Sequence, residues 1–474
     1  MVKKQPNVLF IAIDDLRPEL GCYGNHHIKS PNIDRLAETG AVFTNHFVSV
    51  PTCGASRFSL LTGMLPQTKG HLSNDACRNF IAGKPETDTP ETFIHHLQRN
   101  GYYTVGIGKI SHYVDGLLYG YTDSAGTDYE LPHSWDEMLL NPGKWDTGWN
   151  AFFGYADGEN RQSMNRQVKP YEMADVADTG YPDGLIAEQA LDKINELAEQ
   201  EKPFFLAVGF FKPHLPFNAP KKYWDMYDEQ DIPVSPVSFI PKNVHKESLH
   251  GSGEFNSYQL GDEKVSLENP ASDEYARKLR HAYYACVSYI DAQVGKLLAE
   301  LEDQGLSENT IVIIWGDHGW HLGDHRVWGK HTVFDKALKS AFIIKAPGLT
   351  DGKPVEKVVS TVDVYPTLVE LCHVAMPHDT NGKSLVPLLE NPDADWEEAA
   401  YGYFRNGISL RTERYRLTKY YREAEPVIEL YDHQNDPHEA VNVAGSNPGV
   451  VDQLLPLWEK GNTGLYENNQ NTGH

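Results

Sequence analysis

Residues 7–13, NVLFIAI, form an unbroken apolar run rich in branched side chains that stops abruptly at Asp14 and Asp15. That is the pattern of a strand buried on both faces. Runs of the same kind recur as YYTVGIG (102–108), FFLAVGF (204–210), TIVIIWGD (310–317) and SAFIIKA (340–346). Between them, residues 91–101, 183–200, 272–305 and 360–374 carry the spacing of amphipathic helices. Strand and helix alternate along most of the chain, which predicts an α/β fold with a large, mainly parallel sheet sandwiched between helices. In such a sheet, ligands collect at the carboxyl ends of the strands.

The last quarter changes character. GISLRTERYRLTKYYRE and PVIELYDHQNDPHEAVNV alternate polar and apolar positions with turn signals between them, predicting a small antiparallel sheet. The Pro, Asp and Glu content of 391–399 places a boundary there, so the expectation is a large α/β unit over 1–392 and a C-terminal α+β subdomain over 393–474. Segments 111–180 and 230–271 show no clear periodicity and read as long surface excursions able to shape a pocket rim.

Composition narrows the function. The 474 residues include 42 Lys and Arg against 66 Asp and Glu, a formal net charge of −24. A field of that sign argues against nucleic acid or an anionic bilayer as partner, and no apolar run approaches the roughly 18 residues a membrane span needs. An anionic substrate would require a local cationic pocket. The five cysteines (Cys22, Cys53, Cys77, Cys286, Cys372) are scattered and odd in number, with no C-x-x-C spacing, against a disulfide framework or structural zinc. Cys286 and Cys372 lie in apolar helical patterns and read as structural thiols. The apolar run after Lys3 and Lys4 is too brief for a signal-peptide core, so the expected compartment is cytoplasmic, or periplasmic or secreted if a leader has been removed.

Asp14 and Asp15 follow one predicted strand, and Asp317 and His318 follow another. If those strands are neighbours, the four groups converge; carboxylate oxygens point to Ca²⁺ or Mg²⁺, with His318 either a ligand or a contact to a reacting oxygen. In PTCGASRFSLLTG, Cys53 opens a helix-compatible run with Ser56 and Arg57 in its first turn. Unpaired N–H groups there stabilise a developing anion, and Arg57, on the same helical face, can fork onto an anionic group. Alone, a Cys beside an Arg is usually structural. Lys109 and His112, Lys212 and His214, and Lys330 follow three separate strands, and together they would build the cationic pocket.

These segments together resemble the type I sulfatases of the alkaline phosphatase superfamily. C-G-A-S-R at 53–57 followed by SLLTG fits the C-x-[PA]-x-R signature; DDLRPELGCYG, SPNIDRLAETGAVFTNHF, GKISH, KPHLPF and DHGWHLGDHRVWGKHTVFDKA resemble the iduronate-2-sulfatase type. The resemblance implies an alkaline phosphatase-like fold and a sulfuric ester hydrolase in which a maturing enzyme oxidises Cys53 to formylglycine. The hydrated aldehyde carries two hydroxyls on one carbon: one attacks sulfur, and deprotonating the other ejects sulfate. The resemblance further implies Ca²⁺, with Mg²⁺ the lesser alternative, held by Asp14, Asp15, Asp317, His318 and the oxygen made from Cys53. Arg57 then orients formylglycine, Lys109 and Lys330 grip sulfate, His112 acts as base and His214 as acid, and Trp320 and His331 touch the sugar. Ala55 stands where the human-type enzymes carry Pro. The implied substrate is a sulfated oligo- or polysaccharide, specifically a 2-O-sulfated uronate ending a glycosaminoglycan or algal chain. Two rivals share these residues: a phosphodiesterase or phosphonate monoesterase of the same superfamily, and a non-catalytic glycan binder with Cys53 unconverted.

Overall fold

The computed structural model describes residues 5–466; Lys3 and Lys4 lie outside them. Eight strands build the main sheet: β1 (Asn7–Ile13), β2 (Ala41–Phe47), β3 (Tyr103–Gly108), β4 (Glu137–Leu139), β5 (Phe204–Phe210), β6 (Thr310–Gly316), β7 (Phe342–Lys345) and β8 (Pro354–Ser360). Their spatial order is β8-β2-β7-β6-β1-β5-β3-β4. All run parallel except β7, which is antiparallel to both β6 and β2.

β1 shows why its sequence is apolar throughout. Leu9, Ile11 and Ile13 enter one core layer, with the helices Pro182–Ala198 and Asp273–Asp303 over it. Val8, Phe10 and Ala12 enter the other, beneath the helices Cys53–Thr62, Phe93–Arg99 and Val364–Leu371. Each large side chain so buried stabilises the fold by about 1.5–3 kcal/mol.

Four antiparallel strands follow: β9 (Ala400–Phe404), β10 (Gly407–Arg411), β11 (Tyr415–Tyr420) and β12 (Val427–Asp432), paired in sequence order. The helix Pro448–Glu459 packs on them through Trp458, whose indole N–H donates to the Ile408 carbonyl at 2.9 Å. This sheet is tied to the rest by Arg411, 3.2 Å from Asp335, and by Arg416, which pairs with Asp335 and Glu439. Asp335, His433 and Glu439 form a metal-type group, but these arginines take up its negative charge.

Segment 111–180 differs from its reading as a surface excursion. Its short helix Gly148–Phe152 and the adjoining turns bury Trp145, Trp149, Phe152 and Phe153 in the core. Each turn contributes one or two aromatic residues, which leaves no periodic signal.

Candidate active site

Four adjacent strands, β6-β1-β5-β3, end at the same edge and deliver the groups singled out in the sequence. Ile13 lies opposite Gly316 in register, so Asp14 and Asp15 emerge beside Asp317 and His318. β5 leads to His214, and β3 leads to Lys109 and His112. The close approach of β3 and β5 requires glycine at 209, where a Cβ would stand 2.1 Å from the Lys109 carbonyl oxygen. The Cys53–Thr62 helix, entered from β2, brings its first residue to the same edge. Gly54 lets that helix start pack on the 74 backbone: a Cβ there would lie 2.0 Å from the Asn74 carbonyl oxygen, and the Gly54 N–H donates to Asn74 Oδ1 at 3.0 Å.

Cys53 sits at the centre. Its Sγ is 3.1 Å from Lys330 Nζ and 3.3 Å from His318 Nε2, and burial, reinforced by the Asp14 charge, pushes the thiol up to about 12. Lys330 Nζ also donates to Asp15 Oδ1 at 3.0 Å, while Lys109 Nζ donates to Asp14 Oδ2 and lies 4.3 Å from the centre of the Phe152 ring. Arg57 Nε donates to Asp317 Oδ2 at 3.0 Å, its Nη2 lies 3.0 Å from the same oxygen and 3.7 Å from Asp14 Oδ1 as an ion pair, and its Nη1 donates to the Lys109 and Ile110 carbonyls. The anion that Arg57 grips is therefore Asp317. Burial opposes charge on Asp14, but Lys109, His214 and Arg57 outweigh it and hold the carboxyl well below its usual range. Asp15 moves the other way, because burial exceeds the pull of Lys330 and His318.

Asp14, Asp15, Cys53 and His318 present ligand atoms all within 4.8 Å of one another. Asp14 Oδ1 and Asp15 Oδ2 are buried without a hydrogen-bond partner, the situation a bound cation relieves. The residues present therefore fit an ion. Asp317 stands outside this group, since Arg57 takes its Oδ2 and the Asp15 backbone N–H donates to its Oδ1 at 2.9 Å.

The remaining expected residues divide. His214 is buried, with Nδ1 2.6 Å from the Leu215 carbonyl and Nε2 4.0 Å from Asp15 Oδ2; burial, then Lys330, pushes it down to about 4. His112 is buried against Trp149, ring centres 5.4 Å apart, with Nδ1 unpartnered, and burial and Lys109 hold it well below its usual range. Trp320 is fully buried, its ring centre 5.3 Å from Lys330 Nζ, and His331 stacks on Phe404 at 5.3 Å. Lys212 does not join the cationic pocket. Its Nζ donates to the carbonyls of His214 and Pro216 at 2.9 and 2.7 Å and so braces the loop that carries His214.

Sequence reasoning missed Glu254. It lies on the four-residue helix Gly253–Asn256 inside the aperiodic 230–271 segment, yet its Oε1 is 3.2 Å from His214 Nε2 and 3.8 Å from Lys330 Nζ. Lys330 and His214 overcome burial and hold it well below the usual carboxylate range. No local signal marks it, because a single Glu in a loop is ordinarily solvated.

A buried thiol at a helix N-terminus, among carboxylates and cations at the carboxyl ends of adjacent parallel strands, places the molecule among the alkaline phosphatase-like α/β hydrolases. The chain belongs to the sulfatase family, whose profile matches residues 6–374. Residues 323–455 also match the family described as N-sulphoglucosamine sulphohydrolase, C-terminal. Human iduronate 2-sulfatase is 33% identical over 369 residues, 77% of this chain and 64% of that protein, so the chain spans about two thirds of that relative. A sulfatase of Formosa agariphila is 30% identical over 463 residues, 93% of this chain and 83% of that protein. Among solved structures, the phosphonate monoester hydrolase of Agrobacterium radiobacter superposes with a TM-score of 0.74 at 26% identity, covering 96% of each chain.

Proposed function

We propose that the protein hydrolyses a sulfate ester on a sulfated carbohydrate, specifically a 2-O-sulfated uronate at the end of a glycosaminoglycan or algal polysaccharide chain. The observation that carries this reading is Cys53, held at a helix N-terminus between Lys330 and His318 beside two buried, unpartnered carboxylate oxygens. In this reading the Cys53 thiol stands where a maturing enzyme installs formylglycine, whose hydrate supplies one oxygen to attack sulfur and a second whose deprotonation releases sulfate. Asp14, Asp15 and His318 would hold Ca²⁺, with Asp317 at its edge, and the ion would supply Lewis-acid stabilisation of sulfate oxygens.

The chain's own groups do the rest. Lys109 and Lys330 reach the cluster from opposite sides and offset charge on the sulfate oxygens in the transition state. Arg57, anchored on Asp317, fixes the start of the Cys53 helix relative to β6. His214 donates to the leaving sugar oxygen the proton that Nε2 carries in the imidazolium form favoured by Asp14 and Glu254, and His112, neutral in its buried setting, accepts one from residue 53. Trp320 braces Lys330 from beneath, and His331 borders the sugar side.

Likeness to a phosphonate monoester hydrolase supports a second reading, in which the same groups hydrolyse a phosphonate or phosphate ester. Turnover of 4-nitrophenyl sulfate and of a bis-aryl phosphodiester by the same preparation separates the two; a large preference for the phosphodiester overturns the sulfatase reading. Mass spectrometry of the peptide bearing Cys53 tests its conversion. Finding only unmodified cysteine in protein from its native host favours a non-catalytic binder.

A further inference from the structure

Arg161 is a buried cation with no anion. The residue is 8% exposed, among the described residues it makes no ion pair, and its Nε has no hydrogen-bond partner. The guanidinium instead stacks on Phe153, 3.6 Å from the ring centre, with the Tyr258 ring centre 5.3 Å away. Aromatic faces offset only part of the cost of desolvating a guanidinium, so an uncompensated one is destabilising unless a partner arrives from outside.

Its surroundings lead to the Cys53 cluster. Phe153 packs on Phe152 at 4.8 Å, and Phe152 packs on His214 at 4.6 Å and under Lys109. On the other side, Tyr258 lies four residues after Glu254, the residue touching His214, and the 258–260 backbone is laced to 166–168 by Gln259 N–H to Arg166 O and Leu260 N–H to Val168 O. Tyr121, 42% exposed, stands edge-on to Trp149 and Phe153; burial pushes its phenol up, and the charges of Lys109, Arg161, Cys53 and Glu254 all reach it. Arg161 Nε and Glu254 Oε2 are buried without partners, and the buried Tyr258 hydroxyl, which makes no hydrogen bond of ordinary geometry, has the Arg161 guanidinium beside it. Three under-satisfied polar groups beside the cluster are what a ligand carrying its own anion and hydroxyls would satisfy.

We propose that Arg161, with the Tyr258 hydroxyl beside it, is a second anion subsite that binds an oxyanion of the substrate other than the sulfate being cleaved, while Glu254 Oε2 accepts a sugar hydroxyl. The inference rests on the sulfatase reading. A planar fork with a neighbouring hydroxyl suits a carboxylate or a second sulfate on the same saccharide. The negative Glu254 disfavours that second anion near His214, so it is drawn to Arg161.

The test uses the mature enzyme and four substrates: 4-nitrophenyl sulfate, a 2-O-sulfated hexuronate disaccharide, the same disaccharide with its carboxyl reduced to hydroxymethyl, and glucosamine carrying N- and 6-O-sulfates. The wild type should prefer a two-anion substrate to the reduced one, and which of the two it prefers identifies the second anion as carboxylate or sulfate. In Arg161→Met the loss of kcat/KM on the preferred substrate should exceed the loss on 4-nitrophenyl sulfate by about 10- to 100-fold, with Arg161→Lys between. If Arg161→Met does not fold, Tyr258→Phe should show the same selective loss more weakly. Equal losses on all substrates, or a wild type indifferent to the second anion, overturn the subsite. A wild type that cleaves no sulfate ester at all refutes the sulfatase reading, and the subsite with it.

Discussion

Glu254 Oε1 lies 3.2 Å from His214 Nε2, while His214 Nδ1 faces the Leu215 carbonyl at 2.6 Å. A carbonyl only accepts, so Nδ1 carries a hydrogen, and the Glu254 contact forms a hydrogen bond when Nε2 carries one too. Burial and Lys330 oppose that proton; Asp14 and Glu254 favour it. A residue 40 positions away, in a loop without pattern, therefore supports the group assigned to protonate the leaving oxygen.

Glu254→Gln should consequently act through the leaving group. Turnover of a simple alkyl sulfate, which departs as a poor leaving group and offers no sugar hydroxyl for Glu254 to hold, should fall about 10- to 100-fold, while 4-nitrophenyl sulfate, which needs little proton transfer, should lose much less. Steady-state kinetics on both substrates would show it, and equal losses would remove Glu254 from this role.

Chelation should silence the enzyme without unfolding it. Lys109, Lys330 and Arg57 already neutralise Asp14, Asp15 and Asp317, so the cluster persists without an ion. Dialysis against EDTA should abolish turnover, and added Ca²⁺ should restore it and raise Tm in a concentration-dependent manner. Full activity in EDTA, with no thermal shift on adding Ca²⁺, would count against the ion.

Gly54→Ala should be severely damaging although it adds one methyl group. The new Cβ would meet backbone rather than a movable side chain, 2.0 Å from the Asn74 oxygen, at a cost of about 3 kcal/mol or more. Ala55→Pro, the human-type residue at the next position, makes a useful contrast in the same denaturation assay. If Gly54→Ala matched the wild type in both stability and turnover, the packing argument would fail.

Asp178 offers a pH-dependent test away from the site. Its carboxylate receives Lys222 and Lys296, each at 2.7 Å, and these with Tyr223 overcome the effect of burial and lower it from 3.8 to about 2. A folded-state value below the unfolded one contributes stability above the unfolded value and loses it as pH falls toward the folded one. Asp178→Asn should thus lower Tm at pH 7, and the gap should narrow below about pH 4. A gap that stays constant down to pH 2 would show that the ion pairs do not contribute.

Some of this molecule was legible one residue at a time. The apolar runs of β1, β3, β5 and β6 announce buried strands because both faces are covered, and the polar residues at their ends stand where the sheet meets the ligand. SAFIIKA was legible as a strand but not in its direction, since side-chain burial is the same whichever way β7 runs. β2 and β8 carry Thr44, Asn45, Glu356 and Lys357 towards the sheet's edge, so neither shows an unbroken run.

Residue type and short-range order carry the layered α/β architecture, the family signature and most of the acids and cations that meet at Cys53, so these were legible from the chain alone. Which partner each group takes, and that Glu254 joins them while Lys212 does not, is settled in three dimensions. Arg57 meets Asp317, Lys212 turns to backbone carbonyls, Glu254 joins His214, and Arg161 is buried without an acid. Those outcomes depend on which strand ends and loops lie side by side, and contacts between residues far apart in the chain leave no periodic trace in it.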